Sequence, residues 1–207
     1  MFLTILLAFW FGLPWGEDGR IDPGWKEVRY KGHTAYALLP DSSGVCLRAE
    51  SHGQHSALFH AVPRDLHLLR VRWRWRVLNH PKGADPAVRE LDDRAAAVFI
   101  VVHRSILPWR TKGLLYQWAP IGSGRKWSAS PYATDIKVLT LEQAPAGGAW
   151  VSEERDLDRD LREAFGELSS RIEAIGVLCD ADNTRDLAVA EFGELQLEAE
   201  PRSARNP

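Results

Sequence analysis

The sequence predicts an all-β protein, a two-sheet β-sandwich of jelly-roll or lectin-like type with one α-helix packed near the C-terminus. Three observations predict this fold class. Apolar and polar residues alternate with period two over much of the 207-residue chain. Turn-forming segments rich in glycine, proline and aspartate separate the alternating runs. A helical spacing of apolar residues stands out once, late in the chain.

The chain opens with an apolar run, "MFLTILLAFWFGLPWG", that contains no charged side chain. This run is too short to span a bilayer and has the length of a signal-peptide core. We therefore predict a signal peptide over residues 1–16, cleaved after Gly16, with an uncleaved anchor or a buried first strand as the alternatives. Export would make the protein periplasmic or secreted, with no transmembrane span.

A single β-sandwich domain is predicted over residues 25–199, followed by a loose tail at 200–207. The clearest strand is Leu68–Leu78, "LLRVRWRWRVL", in which successive side chains point to opposite faces. One face carries Leu69, Val71, Trp73, Trp75 and Val77, and the other carries Arg70, Arg72, Arg74 and Arg76. Further strands are predicted at Thr34–Leu39, Val45–Glu50, Ala57–Val62, Ala95–Val102, Leu114–Ala119, Asp135–Leu141, Ile172–Cys179 and Ala188–Leu197.

The late segment "SEERDLDRDLREAFGEL" predicts the helix. Ser152 is a suitable N-cap, and the acidic residues after it favour the positive end of the helix dipole. Leu157, Leu161, Phe165 and Leu168 recur every three or four residues and form one apolar stripe. We expect this stripe to pack on the sandwich.

Cys46 and Cys179 each lie in an apolar, strand-like run. Two readings stay open: two small buried hydrophobic residues, or one disulfide, which an oxidising compartment would permit.

Two sets of residues are candidates for ligand binding. Trp109, Trp127 and Trp150 lie in or beside turn-rich segments, where exposed indoles would stack on sugar rings and buried ones would close the ends of the sandwich. Arg72 and Arg74 would bind an anionic polymer if they were free, or form an ordinary solvated face if acids lay on neighbouring strands. The net charge of −2 argues against nucleic acid as a partner.

Two acidic segments are candidates for catalysis or for a metal. Asp92 and Asp93, in "ELDDR", would serve acid–base chemistry on a glycan. Asp180, Asp182 and Asn183, in "CDADNT", offer oxygen ligands for calcium, while no other cofactor is predicted. The alternative is a turn whose short acidic and amide side chains bond to its own backbone. His52 and His55 lack a third ligand at a plausible spacing, which favours a polar turn there.

The chain resembles a bacterial family, domain of unknown function 3047. The resemblance is carried by the segments "CLRAESHGQHSALFHAV", "VRWRWRV", "LDDRAAAVFIVV", "LLYQWA", "ERDLDRDLREAFG" and "IGVLCDADNTRDLAVAEFGELQL". It extends from about Trp25 to Leu197. It implies an exported β-sandwich akin to lectin-like and carbohydrate-binding folds, and it implies no particular activity.

The function predicted from these features is that of an extracytoplasmic, non-catalytic binding module for a carbohydrate or a cell-envelope component. One alternative is a polysaccharide-cleaving enzyme that uses Asp92, Asp93, Asp180 and Asp182. Another is a structural subunit that docks on a protein partner through an exposed sheet. An enzyme requires titratable groups that converge in a cleft, and a lectin-like binder requires exposed aromatic residues on one face.

Overall fold

The structure is a computed structural model that describes residues 7–103, 110–120, 126–166 and 171–202. It confirms the β-sandwich with one α-helix. In chain order, the elements are β1 (Phe9–Leu13), β2 (Gly16–Glu17), β3 (Arg20–Ile21), β4 (Trp25–Lys31), β5 (Ala35–Asp41), β6 (Gly44–His52), β7 (His55–Ala61), β8 (Leu66–Asn79), β9 (Arg94–His103), β10 (Lys112–Ala119), β11 (Ser128–Ala129), β12 (Ile136–Gln143), β13 (Val151–Asp156), α1 (Leu157–Phe165), β14 (Ala174–Asp180), β15 (Leu187–Phe192) and β16 (Leu195–Pro201).

The first sheet is built around β8, the long strand that the alternating pattern predicts. One edge of β8 pairs with β13, and its other neighbours are β15 and β16, which lie in line with each other. Strands β6 and β5 continue the sheet beyond β15, and β1 pairs with β16. All of these pairings are antiparallel.

The predicted strand Ala188–Leu197 is divided into β15 and β16, so the prediction of a single strand there is wrong. The interruption falls at Gly193, whose backbone N–H donates to the Arg74 carbonyl at 2.8 Å. A Cβ atom on Gly193 would lie 2.5 Å from Cγ of Arg74. The chain between β15 and β16 approaches β8 so closely at this point that the position requires glycine.

The second sheet has the strand order β11-β12-β10-β9-β14-β7-β4. Its pairings are antiparallel except between β10 and β12, which are parallel. A register irregularity between Leu178 and Asp180 shifts the pairing of β14 with the start of β9. Strand β4 was not among the strands that the sequence predicts, although Trp25 at its start is buried.

The core lies between the two sheets. Trp73 and Trp75 are 2% and 0% exposed, which confirms the predicted apolar face of β8 from Val71 to Val77. The prediction for Leu69 is wrong: a register irregularity in the pairing with β16 buries Leu68 and leaves Leu69 half-buried. Val98, Ile100 and Val177 join them in the main cluster. The alternate residues of the second sheet form a smaller apolar cluster, whose buried members are Ala57, Phe59, Ala97, Phe99, Val101, Leu115, Val138, Ala174 and Leu178.

The helix begins later than the sequence predicts. Val151–Asp156 is a strand paired with β8, so the prediction that Ser152 caps the helix is wrong. Asp156 is the N-cap instead, and its carboxylate accepts a hydrogen bond from the Arg159 N–H at 2.9 Å. The segment Val151–Asp156 could begin a helix, but the hydrogen bonds that it forms with β8 stabilise it more as a strand. Helix α1 ends at Gly166, whose φ of 74° suits a glycine cap.

The helix packs on the sandwich as predicted. Leu157 and Leu161 are buried in the main cluster and Phe165 packs against it, while Leu168 lies outside the described residues. Asp160 is also buried, and Arg155 binds its two oxygens at 2.7 and 2.8 Å. The Tyr116 hydroxyl donates to the same carboxylate at 2.7 Å, so the helix is anchored by polar as well as apolar contacts.

Both ends of the described chain extend the first sheet. Phe9–Leu13, which falls inside the predicted signal peptide, pairs with β16 as strand β1. Strand β16 runs to Pro201, two residues into the predicted loose tail. In the described part of the chain, no helix has the length and apolar character needed to cross a membrane.

The two cysteines are free thiols, both of them buried. The Cys179 thiol lies 3.5 Å from the Ala188 carbonyl oxygen, and the Cys46 thiol lies 4.0 Å from a Glu191 carboxylate oxygen. Burial raises the pKa of both thiols, so both are protonated at neutral pH. This supports the reading of two small buried residues.

Candidate functional site

The two acidic segments converge at one end of the second sheet. In the strand pairing, Asp180 on β14 is the register partner of His55 on β7 and of Arg94 on β9. Asp92 and Asp93 immediately precede β9, and Asp182 follows β14 in the next turn. We call His55, Asp92, Asp93, Arg94, Asp180 and Asp182 the carboxylate cluster. Residues that are about 90 positions apart in the chain thus form one site.

Asp93 holds the turn that follows β14. Its carboxylate accepts hydrogen bonds from the backbone N–H groups of Asn183 and Thr184 at 2.9 and 2.7 Å, and from the Thr184 hydroxyl at 2.6 Å. The sequence predicts that Asp180, Asp182 and Asn183 bond to their own backbone, and Asp180 does accept from the Asp182 N–H at 3.3 Å. The stronger contacts come from Asp93, on another segment.

Arg94 is the buried cation of the cluster. Its guanidinium pairs with Asp92 and donates to the Gln117 amide oxygen at 3.0 Å, and Gln117 in turn donates to the Thr140 hydroxyl at 2.9 Å. Burial raises the pKa of Asp92, although Arg94 opposes the rise. One oxygen of Asp92, Oδ2, is buried and accepts no hydrogen bond from the described residues.

Asp180, Asp182 and His55 form the part of the cluster nearest to solvent. His55 Nδ1 lies 3.7 Å from Asp180 Oδ2 and 3.6 Å from Asp182 Oδ1. Lys31 binds the other oxygen of Asp182, Oδ2, at 3.0 Å. The side chains of His55 and Asp182 are 23% and 18% exposed, whereas that of Asp180 is 3% exposed.

The pKa values of these three groups are displaced in different directions. Burial raises the pKa of Asp180 well above its ordinary range. Burial and the positive charge of Arg94 lower the pKa of His55 to about 4, which leaves the imidazole neutral at pH 7. Burial opposes ionisation of Asp182, but its hydrogen bonds to Lys31 and Asp180, together with nearby positive charge, jointly outweigh burial and lower its pKa. Displaced pKa values of this kind are frequent at functional sites.

The residues predicted to bind calcium are not all directed to one point. One oxygen each of Asp180 and Asp182 faces His55. The Asn183 amide nitrogen donates instead to the Arg89 carbonyl at 3.2 Å and to the Tyr132 hydroxyl at 2.8 Å. His55, Asp180 and Asp182 offer three ligand atoms that all lie within 4.8 Å of one another. No sequence pattern identifies His55 as their companion, although "SHGQHS" places it just before a predicted strand.

Arg72 and Arg74 lie on the outer face of the first sheet, where acidic residues of other strands in the same sheet pair with them. Arg72 binds Glu154 at 2.7 Å and Arg74 pairs with Asp41. The same face carries the ion pairs Arg70–Glu154, Arg70–Glu198 and Arg76–Glu191. We call this surface the arginine face. Its charges are balanced, which matches the alternative of an ordinary solvated sheet face.

A groove of about 420 Å³ lies on the arginine face. Its lining residues are Pro14, Trp15, Gly16, Ser43, Val45, Arg72, Trp73, Arg74, Ser152, Glu194 and Gln196. Two indoles flank these arginines: the Arg72 guanidinium lies 4.1 Å from the ring centroid of Trp10, and that of Arg74 lies 4.4 Å from the ring centroid of Trp150. Trp10 is 38% exposed and Trp150 is half-buried. Trp10 falls in the predicted signal peptide and is therefore not among the predicted binding residues.

The three predicted tryptophans do not form one platform. Trp150 lies beside the groove, whereas Trp127 is half-buried near the helix. The Trp127 ring lies 5.8 Å from the Tyr116 ring, and its N–H donates to Glu163 at 3.4 Å. Trp127 therefore closes one end of the sandwich, and Trp109 lies outside the described residues.

Several solved structures resemble this fold. The family 11 carbohydrate-binding module from Clostridium thermocellum matches with a TM-score of 0.49 and 11% identity, over 91% of this chain and 94% of that chain. The K1 cleaved adhesin domain of Lys-gingipain from Porphyromonas gingivalis matches with a TM-score of 0.46 and 10% identity, over 92% and 97%. The Emp47p carbohydrate recognition domain matches with a TM-score of 0.43 and 11% identity, over 87% and 90%.

These similarities concern the fold and carry nothing about what this chain binds. A search of curated proteins gives no match. The profile of a family described as "Protein of unknown function (DUF3047)" matches residues 23–196, which is most of the chain. This agrees with the resemblance seen in the sequence segments. The chain belongs to the DUF3047 family.

Proposed function

We propose that this protein is a non-catalytic, extracytoplasmic carbohydrate-binding module that holds a neutral glycan in the groove of the arginine face. One observation carries the proposal: the groove combines hydrogen-bonding side chains of both kinds with the Trp150 indole, which lies over Arg74 and follows the predicted cleavage point. Its volume, about 420 Å³, lies within the usual range of small-molecule sites. Sugar hydroxyls require donors and acceptors together, and sugar rings stack on aromatic faces.

The polar lining supports a ligand rich in hydroxyl groups. Ser43 and Ser152 offer hydroxyls, Gln196 offers an amide, and Glu194 offers acceptor oxygens. Arg72 is 47% exposed on its side chain, so part of its donor set faces solvent even while it binds Glu154. A guanidinium that is already held by a carboxylate is oriented, which lowers the entropic cost of ordering it around a ligand.

The balance of charge favours a neutral glycan over an anionic one. Each arginine of the face has an acidic partner within 4.0 Å on a neighbouring strand or loop. A uronate or sulfate group would have to compete with those carboxylates for the same guanidinium. Binding of a neutral sugar leaves the ion pairs in place.

The distribution of carboxylates supports a binding role over cleavage of the glycan. Among the described residues that line the groove, Glu194 is the single carboxylate, whereas most glycosidases use a pair that flanks the scissile bond. Asp92 and Asp93, the predicted catalytic residues, belong to the other sheet. Asp93 accepts three hydrogen bonds and Asp92 pairs with Arg94, so both have structural roles.

The extracytoplasmic placement rests on the apolar run at the start of the chain. Cleavage after Gly16 would remove Pro14, Trp15 and Gly16 from the groove wall, together with the stacking partner Trp10. Ser43, Arg72, Ser152, Glu194 and Gln196 all follow the cleavage point, so the polar lining does not depend on the predicted signal peptide.

A glycan array of neutral and uronic-acid oligosaccharides, followed by titration calorimetry with the best ligand, tests the proposal. We expect Arg72→Ala and Gln196→Ala each to weaken binding by about 10-fold, the scale of a lost hydrogen bond at a site. Lys26→Ala, an exposed position on the second sheet, is the control and should bind like the parent.

The salt dependence distinguishes the class of ligand. Because the face is charge-balanced, raising the NaCl concentration should change the affinity little. A steep loss of affinity with salt would indicate an anionic polymer. If no glycan binds, or if Arg72→Ala binds as the parent does, the proposed site is wrong.

A further inference from the structure

We propose that His55, Asp180 and Asp182 bind a divalent transition-metal ion of the zinc type. This inference is independent of the proposed glycan site, because the carboxylate cluster belongs to the second sheet and the groove to the first. His55 begins β7, Asp180 ends β14 and Asp182 lies in the turn that follows, so the three residues lie at one end of the second sheet.

The spacing of the three ligand atoms suits coordination better than hydrogen bonding. His55 Nδ1 lies 3.6 Å from Asp182 Oδ1 and 3.7 Å from Asp180 Oδ2, beyond the length of an N–H···O hydrogen bond. Ligands about 2.1 Å from a tetrahedral ion lie about 3.4 Å from each other. Small side-chain movements would therefore bring all three atoms to bonding distance.

The second oxygen of each carboxylate is already held, which orients the free one. Lys31 binds Asp182 Oδ2 at 3.0 Å and also the Asp182 carbonyl at 2.9 Å. The Asp182 N–H donates to Asp180 Oδ1 at 3.3 Å. Metal-binding carboxylates are commonly fixed by such outer contacts. Asp180 Oδ2, on a side chain that is 97% buried, faces His55 Nδ1 at 3.7 Å.

Acidic groups outnumber basic groups at the site, which favours binding of a cation. Four carboxylates, those of Asp92, Asp93, Asp180 and Asp182, face two basic side chains, Arg94 and Lys31. Arg94 Nη1 lies 4.0 Å from Asp180 Oδ2, too far for a hydrogen bond, while its Nε and Nη2 donate to Gln117 and Asp92. The buried Asp92 Oδ2 accepts no hydrogen bond within the described chain. Burial disfavours the ionised form of these carboxyl groups, and a bound divalent ion would stabilise that form in this poorly solvated site.

The donor set selects the class of metal. Imidazole nitrogen and carboxylate oxygen are both zinc ligands, and three protein ligands leave one position of a tetrahedral ion for water or a small ligand. Calcium takes six to eight oxygen ligands, which these three side chains do not supply. The partial exposure of His55 and Asp182 gives an ion access from solvent.

The experiment uses the full chain purified without a histidine tag and stripped with EDTA. We expect titration calorimetry with ZnCl₂ to give one site per chain, zinc to raise Tm, and Co²⁺ to give the visible absorption of a four-coordinate ion. His55→Ala and Asp182→Asn should each weaken zinc binding by more than about 10-fold, at least the effect of losing an outer contact. Circular dichroism in EDTA checks that both variants fold.

His52→Ala is the matched control, because His52 is 63% exposed, pairs with Glu50 and lies three residues before His55. It should bind zinc like the parent. The proposal is wrong if zinc leaves Tm unchanged, or if His55→Ala binds zinc as tightly as the parent. It is also wrong if calcium raises Tm and zinc does not, which would support the calcium site predicted from the sequence. Loss of zinc binding in His52→Ala would place the ion at the surface pair with Glu50.

Discussion

Trp73 and Trp75 show how one alternating run places two large side chains in the core. Their rings meet edge to face with centroids 5.4 Å apart, and the Trp73 ring lies 5.6 Å from that of Tyr116. Aromatic pairs with this geometry add to the free energy gained from burial. The guanidinium groups of the intervening arginines remain on the outer face with their acidic partners.

Trp73→Ala should lower the free energy of unfolding by about 3–5 kcal/mol, because it removes a buried indole and leaves a cavity. Denaturant unfolding measures the change. Trp10→Ala, at a position that is 38% exposed, is the control and should cost less than about 1 kcal/mol. A cost below about 1 kcal/mol for Trp73→Ala would contradict its place in the core.

Helix α1 and strand β13 show that an element's boundaries depend on its partners. The segment Val151–Asp156 carries charged residues that suit the first turn of a helix, yet it pairs along its length with β8. Helix α1 is left with nine residues, too few to be stable alone, so its stability comes from docking. Leu157, Leu161 and the buried Asp160 supply those contacts.

Leu161→Asp should unfold the protein or detach the helix, because it places an unpaired carboxylate in an apolar contact. Thermal unfolding followed by circular dichroism gives the result. Arg162→Asp introduces the same side chain one residue later, at an exposed position, and should cost less than about 1 kcal/mol. If Leu161→Asp melts at the temperature of the parent, the helix does not pack as described.

At the scale of the whole molecule, the N-terminal run can be either a signal peptide or an edge strand of the first sheet. It has the composition of a signal-peptide core, and it also pairs with β16 at the edge of the first sheet. Leu13 and Trp15 are buried, and the family match begins only at residue 23. Because β16 pairs with β8 on its other edge, the sheet would keep β16 after loss of β1.

We expect the mature protein made in its native host to lack residues 1–16, because signal peptidases remove such apolar leaders on export. Intact-mass measurement of the purified protein tests this expectation. A recombinant chain of residues 17–207 is the companion sample and should remain folded. A native mass that includes Met1 would instead support a retained anchor or a retained edge strand.

The sequence by itself determined the fold class and the buried faces. Period-two alternation in β8 and the apolar stripe of α1 are local properties, readable from neighbouring residues without knowledge of their partners. The resemblance to the family is also local, because each segment that carries it is an uninterrupted run of the sequence. The start of the helix and the break at Gly193 could not be read in this way, because pairing with β8 decides both.

Only the tertiary structure decided which chemical groups share a site. Asp92 and Asp93 lie in one segment and Asp180 and Asp182 in another, and only the alternative of a polysaccharide-cleaving enzyme groups the four from the sequence. No sequence pattern links His55 to them. The order β9-β14-β7 brings these segments together, with Asp180 between Arg94 and His55. Strand order depends on contacts between residues distant in sequence, which side-chain periodicity does not encode. The acidic turn after β14 therefore supplies only part of the carboxylate cluster, and the other residues come from β7 and from the start of β9.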